Sequence, residues 1–238
     1  MRGLIAKAAH RSARELHGRA GQQRVTPAGA RAVPAERQAG VWLLDGIDHY
    51  ERLIATELPS ARVSVWIGTA NLKELRIPAP RGTRARARGQ SMSVLEHLQA
   101  LGDAGVELRV LHGKEPSRPF AAELARLPRL RKELALRQCP RVHFKVIVID
   151  GRLLYLGSAN FTGAGLGARS EGRRNFELGV LTTDEYLLDT VQSRFEAIWS
   201  GRECQHCGVR RLCARPLDGP AASQPRAAQL RGGGKTTE

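Results

Sequence analysis

Apolar and polar positions in the middle of the chain alternate between strand-like and helix-like spacing. Strand-like spacing covers residues 63–68, 106–112 and 177–182, and the apolar run VIVI at 146–149 is typical of a buried strand. Helical spacing covers residues 45–58 with Asp45 as the cap, 93–104, 119–137 with a break at Pro128, and 183–199. The succession of helix, glycine and strand predicts an α/β fold.

Segments without any apolar period flank this patterned region. We expect a basic flexible segment at 1–40, a folded domain at 41–200, a cysteine-rich knuckle at 201–215 and a disordered tail at 216–238. Because no run of about 18 apolar residues occurs, we expect no membrane span. The first residues lack the apolar stretch of a secretory signal, which favours a cytoplasmic protein.

The chain is strongly basic, with a net charge of +15, and residues 41–215 alone carry +8. A folded region of this charge favours a polyanionic partner, either nucleic acid or an anionic membrane surface. The alternative is genomic base composition, because 32 arginines stand against 6 lysines.

Four side chains suited to phosphate are predicted to meet at one end of the sheet. In extended chain, residues two apart share a face, so His143 and Lys145 project together. The pair Asp150–Gly151 favours a hairpin turn, which returns Ser158 and Asn160 to the same place. The resulting imidazole, ammonium, hydroxyl and amide supply a nucleophile or acid, one positive charge and neutral donors.

These residues also carry a family resemblance. The pattern His143-x-Lys145-x4-Asp150, followed by Gly157-Ser158-x-Asn160, resembles the HKD motif of the phospholipase D superfamily. The resemblance implies a phospholipase D-like mixed β-sheet flanked by helices. It also implies a phosphodiesterase that works through a phosphohistidine intermediate. Asp150 belongs to the family pattern, but it also suits an indirect role, in which it orients a catalytic residue, or simple turn formation.

Family members carry a glutamate after this motif, and Glu177 in Asn175-Phe176-Glu177 matches it. A carboxylate beside His143 holds the ring in one tautomer and stabilises its imidazolium. Glu171 is a competing candidate in the preceding loop.

The sequence contains one complete motif, whereas the family uses two that face each other. His112-Gly113-Lys114 repeats the bare spacing, but Pro119 stands where the aspartate is needed. The resemblance therefore implies a homodimer with His143 from each subunit. Residues 68–71, GTAN, echo GSAN at 157–160, so a degenerate second copy is an alternative.

The predicted phosphohistidine route requires no catalytic metal, and Asp and Glu clusters at metal-ligand spacing are absent from the sequence. The four cysteines suggest a separate structural site. Cys204, Cys207 and Cys213 have the spacing C-x2-C-x5-C, and Cys139 lies four residues before His143. An iron-sulfur cluster, zinc, and a metal-free set of thiols or a redox pair all remain open.

We expect a nuclease, because arginine side chains pair well with phosphodiester backbones. The candidate nucleic-acid contacts lie in two basic loops: Arg81, Arg84, Arg86, Arg88, Arg173 and Arg174. The alternatives are a phospholipase or phosphatidyl transferase that acts on lipids, and a non-catalytic nucleic-acid-binding module.

Overall fold

The computed structural model describes residues 36–79 and 82–219. The chain divides into two units, Met1–Gln38 and Ala39–Glu238. The expectations for the N-terminal segment up to residue 35, for Arg81 and for the tail from residue 220 lie outside the described residues.

A mixed sheet forms the centre of the second unit. Its strands are β1 (Trp42–Asp45), β2 (Ser64–Thr69), β5 (Glu107–His112), β6 (Leu134–Gln138), β7 (Val146–Ile149), β8 (Leu153–Gly157) and β9 (Leu178–Thr182). Within the described residues their order is β1-β9-β8-β7-β2-β5-β6. Strands β2, β5 and β6 run parallel, and the other neighbouring pairs are antiparallel. Strands β3 (Arg76–Pro78) and β4 (Ser91–Ser93) form a separate pair.

Helices flank both faces of the sheet. The α-helices are α1 (Arg84–Ala87), α2 (Val94–Asp103), α3 (Arg118–Ala125), α4 (Pro128–Glu133) and α5 (Glu185–Trp199). A π-helix spans His49–Glu57, and short 3₁₀ turns span Leu58–Ser60, Glu171–Arg173, Arg202–Cys204 and Arg210–Leu212. No helix in the described parts is long and apolar enough to cross a membrane.

The apolar run of β7 is explained by burial on both faces. Ile147 and Ile149 pack into the large cluster beneath the π-helix and α2, whereas Val146 and Val148 pack against Leu188 of α5. A strand covered on both sides needs apolar residues at every position. The predicted fold class, a mixed sheet flanked by helices in a single domain, is confirmed.

Two predicted elements are wrong in detail. Asp45 does not cap a helix but ends β1, and the helix begins at His49 after Asp48. The helical segment expected to reach residue 137 ends at Glu133, and Leu134–Gln138 forms β6. An edge strand has one partner and tolerates charged residues, so the composition of β6 resembles that of an exposed helix. The pairing of β6 with β5 is what makes this segment a strand.

The knuckle is joined to the sheet through an apolar cluster. Leu217 and Cys204 pack with Phe195, Leu111 and Val142. Residues 201–219 therefore rest on the same face of the sheet as α5.

Gly68 in β2 permits a close approach that determines where Phe144 lies. A Cβ atom at this position would lie 2.1 Å from Phe144 Cε2 and 2.9 Å from Val146 Cγ2. We expect Gly68→Ala to lower the free energy of unfolding by about 1–3 kcal/mol, because the ring must move. Urea denaturation measures the change. Gly172→Ala is the matched control, since nothing lies within 4 Å of the added carbon there; equal stability losses in both variants would refute the account.

Candidate active site

Four of the predicted motif residues, His143, Lys145, Ser158 and Asn160, lie at the edge of the sheet where the parallel strands β2 and β5 end. His143 and Lys145 lie in the extended segment just before β7, and Ser158 follows the end of β8. The Gly157 N–H donates to the Lys145 carbonyl at 3.2 Å, which extends the pairing of the two strands to this edge. The two halves of the motif are therefore adjacent.

His143 and Lys145 are in direct contact. The Lys145 ammonium lies 3.2 Å from His143 Nδ1 and donates to the His143 carbonyl at 2.8 Å. The histidine is exposed, whereas its neighbour Val142 is buried and Phe144 packs into two apolar clusters. The ring is thus open to a substrate while the backbone on both sides of it is fixed by packing.

Ser158 is held by Glu177. Its hydroxyl donates to Glu177 Oε2 and accepts from the Leu178 N–H at 3.1 Å. The second carboxylate oxygen, Oε1, accepts from Asn175 Nδ2 at 3.0 Å. The Asn-x-Glu element therefore positions the hydroxyl, and in the described residues no hydrogen bond joins Glu177 to His143. Glu171 lies apart from this group, exposed in a 3₁₀ turn.

Asn160 fastens the end of β2 to the end of β8. Its Oδ1 accepts from the Asn71 N–H at 3.0 Å and lies 3.4 Å from the Thr69 hydroxyl. The Thr69 hydroxyl in turn accepts from the Phe161 N–H at 3.0 Å. The similar segments GTAN and GSAN thus meet in space. Asn160 Nδ2 has no hydrogen-bond acceptor among the described residues, so this group is available to a phosphate oxygen.

The second His-x-Lys spacing does not form a second reactive site. His112 is only 3% exposed, and its Nδ1 lies 2.8 Å from the Lys114 carbonyl. Burial lowers the pKa of His112, which keeps the ring neutral. Gly113 lets the chain approach the Val142 carbonyl, since a Cβ atom would lie 2.4 Å from that oxygen. This segment supports the backbone beside His143.

Asp150 lies at the far end of β7 from His143. Its Oδ1 accepts from the backbone N–H groups of Arg62, Val63 and Ser64 at 3.0, 2.7 and 3.0 Å. The residue has φ of +55°, in the left-handed region. The structure therefore does not bring Asp150 together with the other motif residues, and its contacts are those of a turn that ties β7 to the start of β2.

His49 was not recognised as part of the site from the sequence. It is fully buried, with its ring 5.5 Å from the Tyr155 ring and Nδ1 3.2 Å from the Gly46 carbonyl. Burial lowers the pKa of His49, and the nearby Glu177 partly opposes this shift. A lone histidine without a lysine two positions on carries no sequence signal for this buried placement.

The candidate nucleic-acid contacts divide into two groups. Arg84, Arg86 and Arg88 are exposed in and after α1, and no hydrogen bond or ion pair in the described residues joins them to the motif. Arg173 is exposed and Arg174 half-buried in the loop that leads to Glu177. The second group therefore lies a few residues before Glu177 in the sequence.

Two exposed lysines at the site edge were missed. The Lys73 N–H donates to the Phe161 carbonyl at 3.1 Å, and the Lys114 N–H donates to the Ala70 carbonyl at 2.9 Å. Both residues follow the carboxyl ends of parallel strands, β2 and β5, where polar residues of an α/β sheet converge. Their positions after the strands were the available signal.

The cysteines come together on the side of the sheet covered by α5. All four line one small cavity with Arg141 and Arg210; the four are Cys139, Cys204, Cys207 and Cys213. In residues 36–79 and 82–219, no three His, Cys, Asp or Glu side chains are already arranged so that they could hold a metal ion.

An exposed imidazole beside an ammonium, next to a hydroxyl fixed by a carboxylate on a mixed α/β sheet, defines a phospholipase D-like protein. The model of the family described as "Cardiolipin synthase, PLD-like domain" matches residues 54–199. The chain belongs to this family, and the predicted resemblance is confirmed. No curated protein matches the chain significantly.

Several solved structures are similar at low sequence identity. Nuc of Salmonella typhimurium, a phospholipase D family member, is 17% identical with a TM-score of 0.48, covering 68% of this chain and 95% of its own. NucT of Helicobacter pylori is 17% identical with a TM-score of 0.45, and the match covers 67% of this chain and 94% of the NucT chain. TrmBL2, an archaeal chromatin protein with a novel mode of DNA binding, is 15% identical with a TM-score of 0.45. The match covers 71% of this chain and 55% of the TrmBL2 chain.

Proposed function

We propose that this protein is a phosphodiesterase that hydrolyses nucleic-acid backbones with His143 as the nucleophile. The observation that carries the proposal is the exposed His143 ring with the Lys145 ammonium 3.2 Å from Nδ1. A reactive imidazole and a fixed positive charge at one point are what attack on an anionic phosphodiester requires. The Ser158 hydroxyl and the Asn160 amide add neutral groups at the same edge.

The reaction has two steps. A ring nitrogen of one His143 attacks phosphorus, a P–N bond forms, and the bond to the leaving oxygen breaks as that oxygen takes a proton from the partner subunit's His143. Water then gives a proton to the partner subunit's His143 and attacks phosphorus, and the P–N bond breaks. Each of the two steps passes through a transition state in which negative charge gathers around phosphorus. Lys145 lowers the energy of both transition states because its ammonium group offsets that charge.

A second copy of the chain completes this site. Within the described residues, one copy supplies a single exposed histidine at the edge, because His112 is buried. An apolar row lies beside Ser158 on the sheet: Leu43 and Leu156 both pair with Val180, and all three point to one face. Leu43 and Leu156 are exposed, as are Leu178 and Phe176 next to Glu177. A two-fold contact through this row covers apolar surface and brings two motifs together.

The basic groups around the site favour nucleic acid as the substrate. Lys73 and Lys114 stand at the edge itself, and Arg173 and Arg174 lie in the adjoining loop. Cations spread along an edge match a polymer that carries repeated phosphates. The exposed apolar row favours a lipid-directed enzyme as the second candidate, if that row faces a membrane instead of a second copy.

The substrate test uses the full chain in a buffer without added divalent cations. We expect cleavage of plasmid or single-stranded DNA and no choline release from phosphatidylcholine vesicles, because the route needs no metal-activated water. Gel analysis and choline quantification measure the two reactions. Choline release without DNA cleavage would favour the lipid enzyme. DNA binding without turnover of either substrate, at every pH between 5 and 8, would exclude both enzymes.

A further inference from the structure

We propose that Cys139, Cys204, Cys207 and Cys213 bind one metal centre through four thiolates, and that this centre fixes the knuckle to the segment that carries His143. The proposal does not depend on the phosphodiesterase activity. It concerns a separate part of the molecule, on the side of the sheet covered by α5.

The fold brings together cysteines that lie far apart in the sequence. Cys139 directly follows β6, 65 residues before Cys204, yet it lines the same cavity as the three knuckle cysteines. All four are half-buried free thiols, and these are all the cysteines of the chain. A four-thiolate set with no thiol left over is typical of structural zinc and iron-sulfur sites.

The backbone of the knuckle turns tightly at each cysteine. The Cys207 N–H donates to the Cys204 carbonyl at 3.3 Å, and the Cys213 N–H donates to the Arg210 carbonyl at 3.2 Å. Cys139 begins its own turn, because the Val142 N–H donates to the Cys139 carbonyl at 2.9 Å. These tight turns bring the backbone positions of the cysteines close together within a short segment.

The charges around the cavity suit thiolates. Arg141, Arg210 and Arg215 line it. Four thiolates leave a negative charge on either kind of metal centre, and guanidinium groups at its edge compensate that charge. The thiols as placed do not form a metal-ligand set, so metal binding requires the cysteine side chains to change conformation.

The same contacts connect this centre to the candidate active site. Cys139 and Cys204 pack into one apolar cluster with Val142 and Phe144, the two residues that flank His143. The cluster is small, with five fully buried members. A metal centre at its edge therefore adds the cross-link that the few apolar contacts do not supply.

The decisive measurement is the metal content of the full-length protein purified without oxygen. We expect about one zinc, or about four irons with a broad visible absorbance band, per chain. Cys139→Ala and Cys213→Ala should lose at least about nine-tenths of that metal, because each removes one ligand. His206→Ala is the matched control within the knuckle and should keep it. Iron and zinc both support the centre and identify its class.

Metal-free protein with four thiols that react with a thiol reagent overturns the proposal. So does a native Cys204–Cys207 disulfide found by mass spectrometry. Hydrogen exchange provides a second readout on the unaltered chain: chelation should speed exchange at residues 139–145 as well as in the knuckle. Metal loss with unchanged exchange at 139–145 would contradict the coupling to His143. None of these outcomes depends on whether the protein cleaves DNA.

Discussion

His143→Asn is expected to abolish phosphodiester cleavage, with a loss of about 10⁴-fold or more in kcat/KM. Asparagine keeps a polar group at this position but has no ring nitrogen that can form a bond to phosphorus or carry the proton. The side chain is exposed, so the free energy of unfolding should change by less than about 0.5 kcal/mol. Initial rates on a labelled oligonucleotide and a thermal melt measure the two quantities.

His206→Asn is the matched control, because His206 is also exposed and lies in the knuckle. It should retain wild-type activity. If His143→Asn keeps more than about one-hundredth of the wild-type rate, the nucleophile lies elsewhere.

The same variant tests the shared site. In a 1:1 mixture of wild-type and His143→Asn chains that exchange freely, about one quarter of the dimers contain two intact histidines. Activity should therefore fall to about one quarter, whereas a self-sufficient monomer would retain about half. Differently tagged chains, purified in sequence, isolate the mixed dimer and show directly whether one histidine suffices.

The placement of the main candidate residues could be predicted from the sequence because it depends on local spacing. His143 and Lys145 are two apart in extended chain, and a two-residue turn fixes where Ser158 returns. The structure places them together, although β7 begins only at Val146. The backbone bond from the Gly157 N–H to the Lys145 carbonyl continues the pairing of β7 with β8 to this point.

The features that escaped prediction depend on long-range contacts. Glu177 was expected beside His143, but it accepts a hydrogen bond from Ser158, and the antiparallel pairing of β8 with β9 sets that contact. The strand β6 was missed since only its pairing with β5 distinguishes it from the preceding helix. His49 packs against Tyr155 in the interior, a contact that no spacing rule describes.

Asp150 shows how one motif can combine two kinds of residue. A pattern in the sequence does not separate residues that touch the substrate from residues that hold the scaffold. The carboxylate of Asp150 is bound to the start of β2 at the opposite end of β7 from the histidine. Substitutions at Asp150 and His143 should therefore affect different properties, stability in the first case and activity in the second.

Asp150→Ala is expected to lower the free energy of unfolding by about 3 kcal/mol while the folded protein keeps its kcat within about threefold. The loss of the acceptor for three backbone N–H groups accounts for about 2 kcal/mol. Placing alanine at φ of +55° adds about 1 kcal/mol. Urea denaturation measures the stability, and initial rates well below the melting temperature measure kcat.

Two further variants separate these causes. Asp150→Gly removes the hydrogen-bond acceptor, but glycine adopts a positive φ without strain. This variant should therefore be more stable than Asp150→Ala. Asp150→Asn tolerates the same φ and keeps one acceptor oxygen, so it should lose the least. If all three variants remain fully stable but lose activity as strongly as His143→Asn, Asp150 acts in the reaction and the scaffold account is wrong.

The pH dependence of stability gives an independent test of the same contacts. Burial raises the pKa of Asp150, but the N–H donors of residues 62–64 and the Arg152 guanidinium outweigh it and hold the pKa below its usual value. A depressed folded-state pKa stabilises the protein above the unfolded-state pKa, and this contribution disappears as the pH falls through the folded-state value. The stability difference between wild type and Asp150→Asn should therefore be largest near neutral pH and shrink in acid. A difference that stays constant down to the acid transition would show that the charge of Asp150 contributes nothing to the turn.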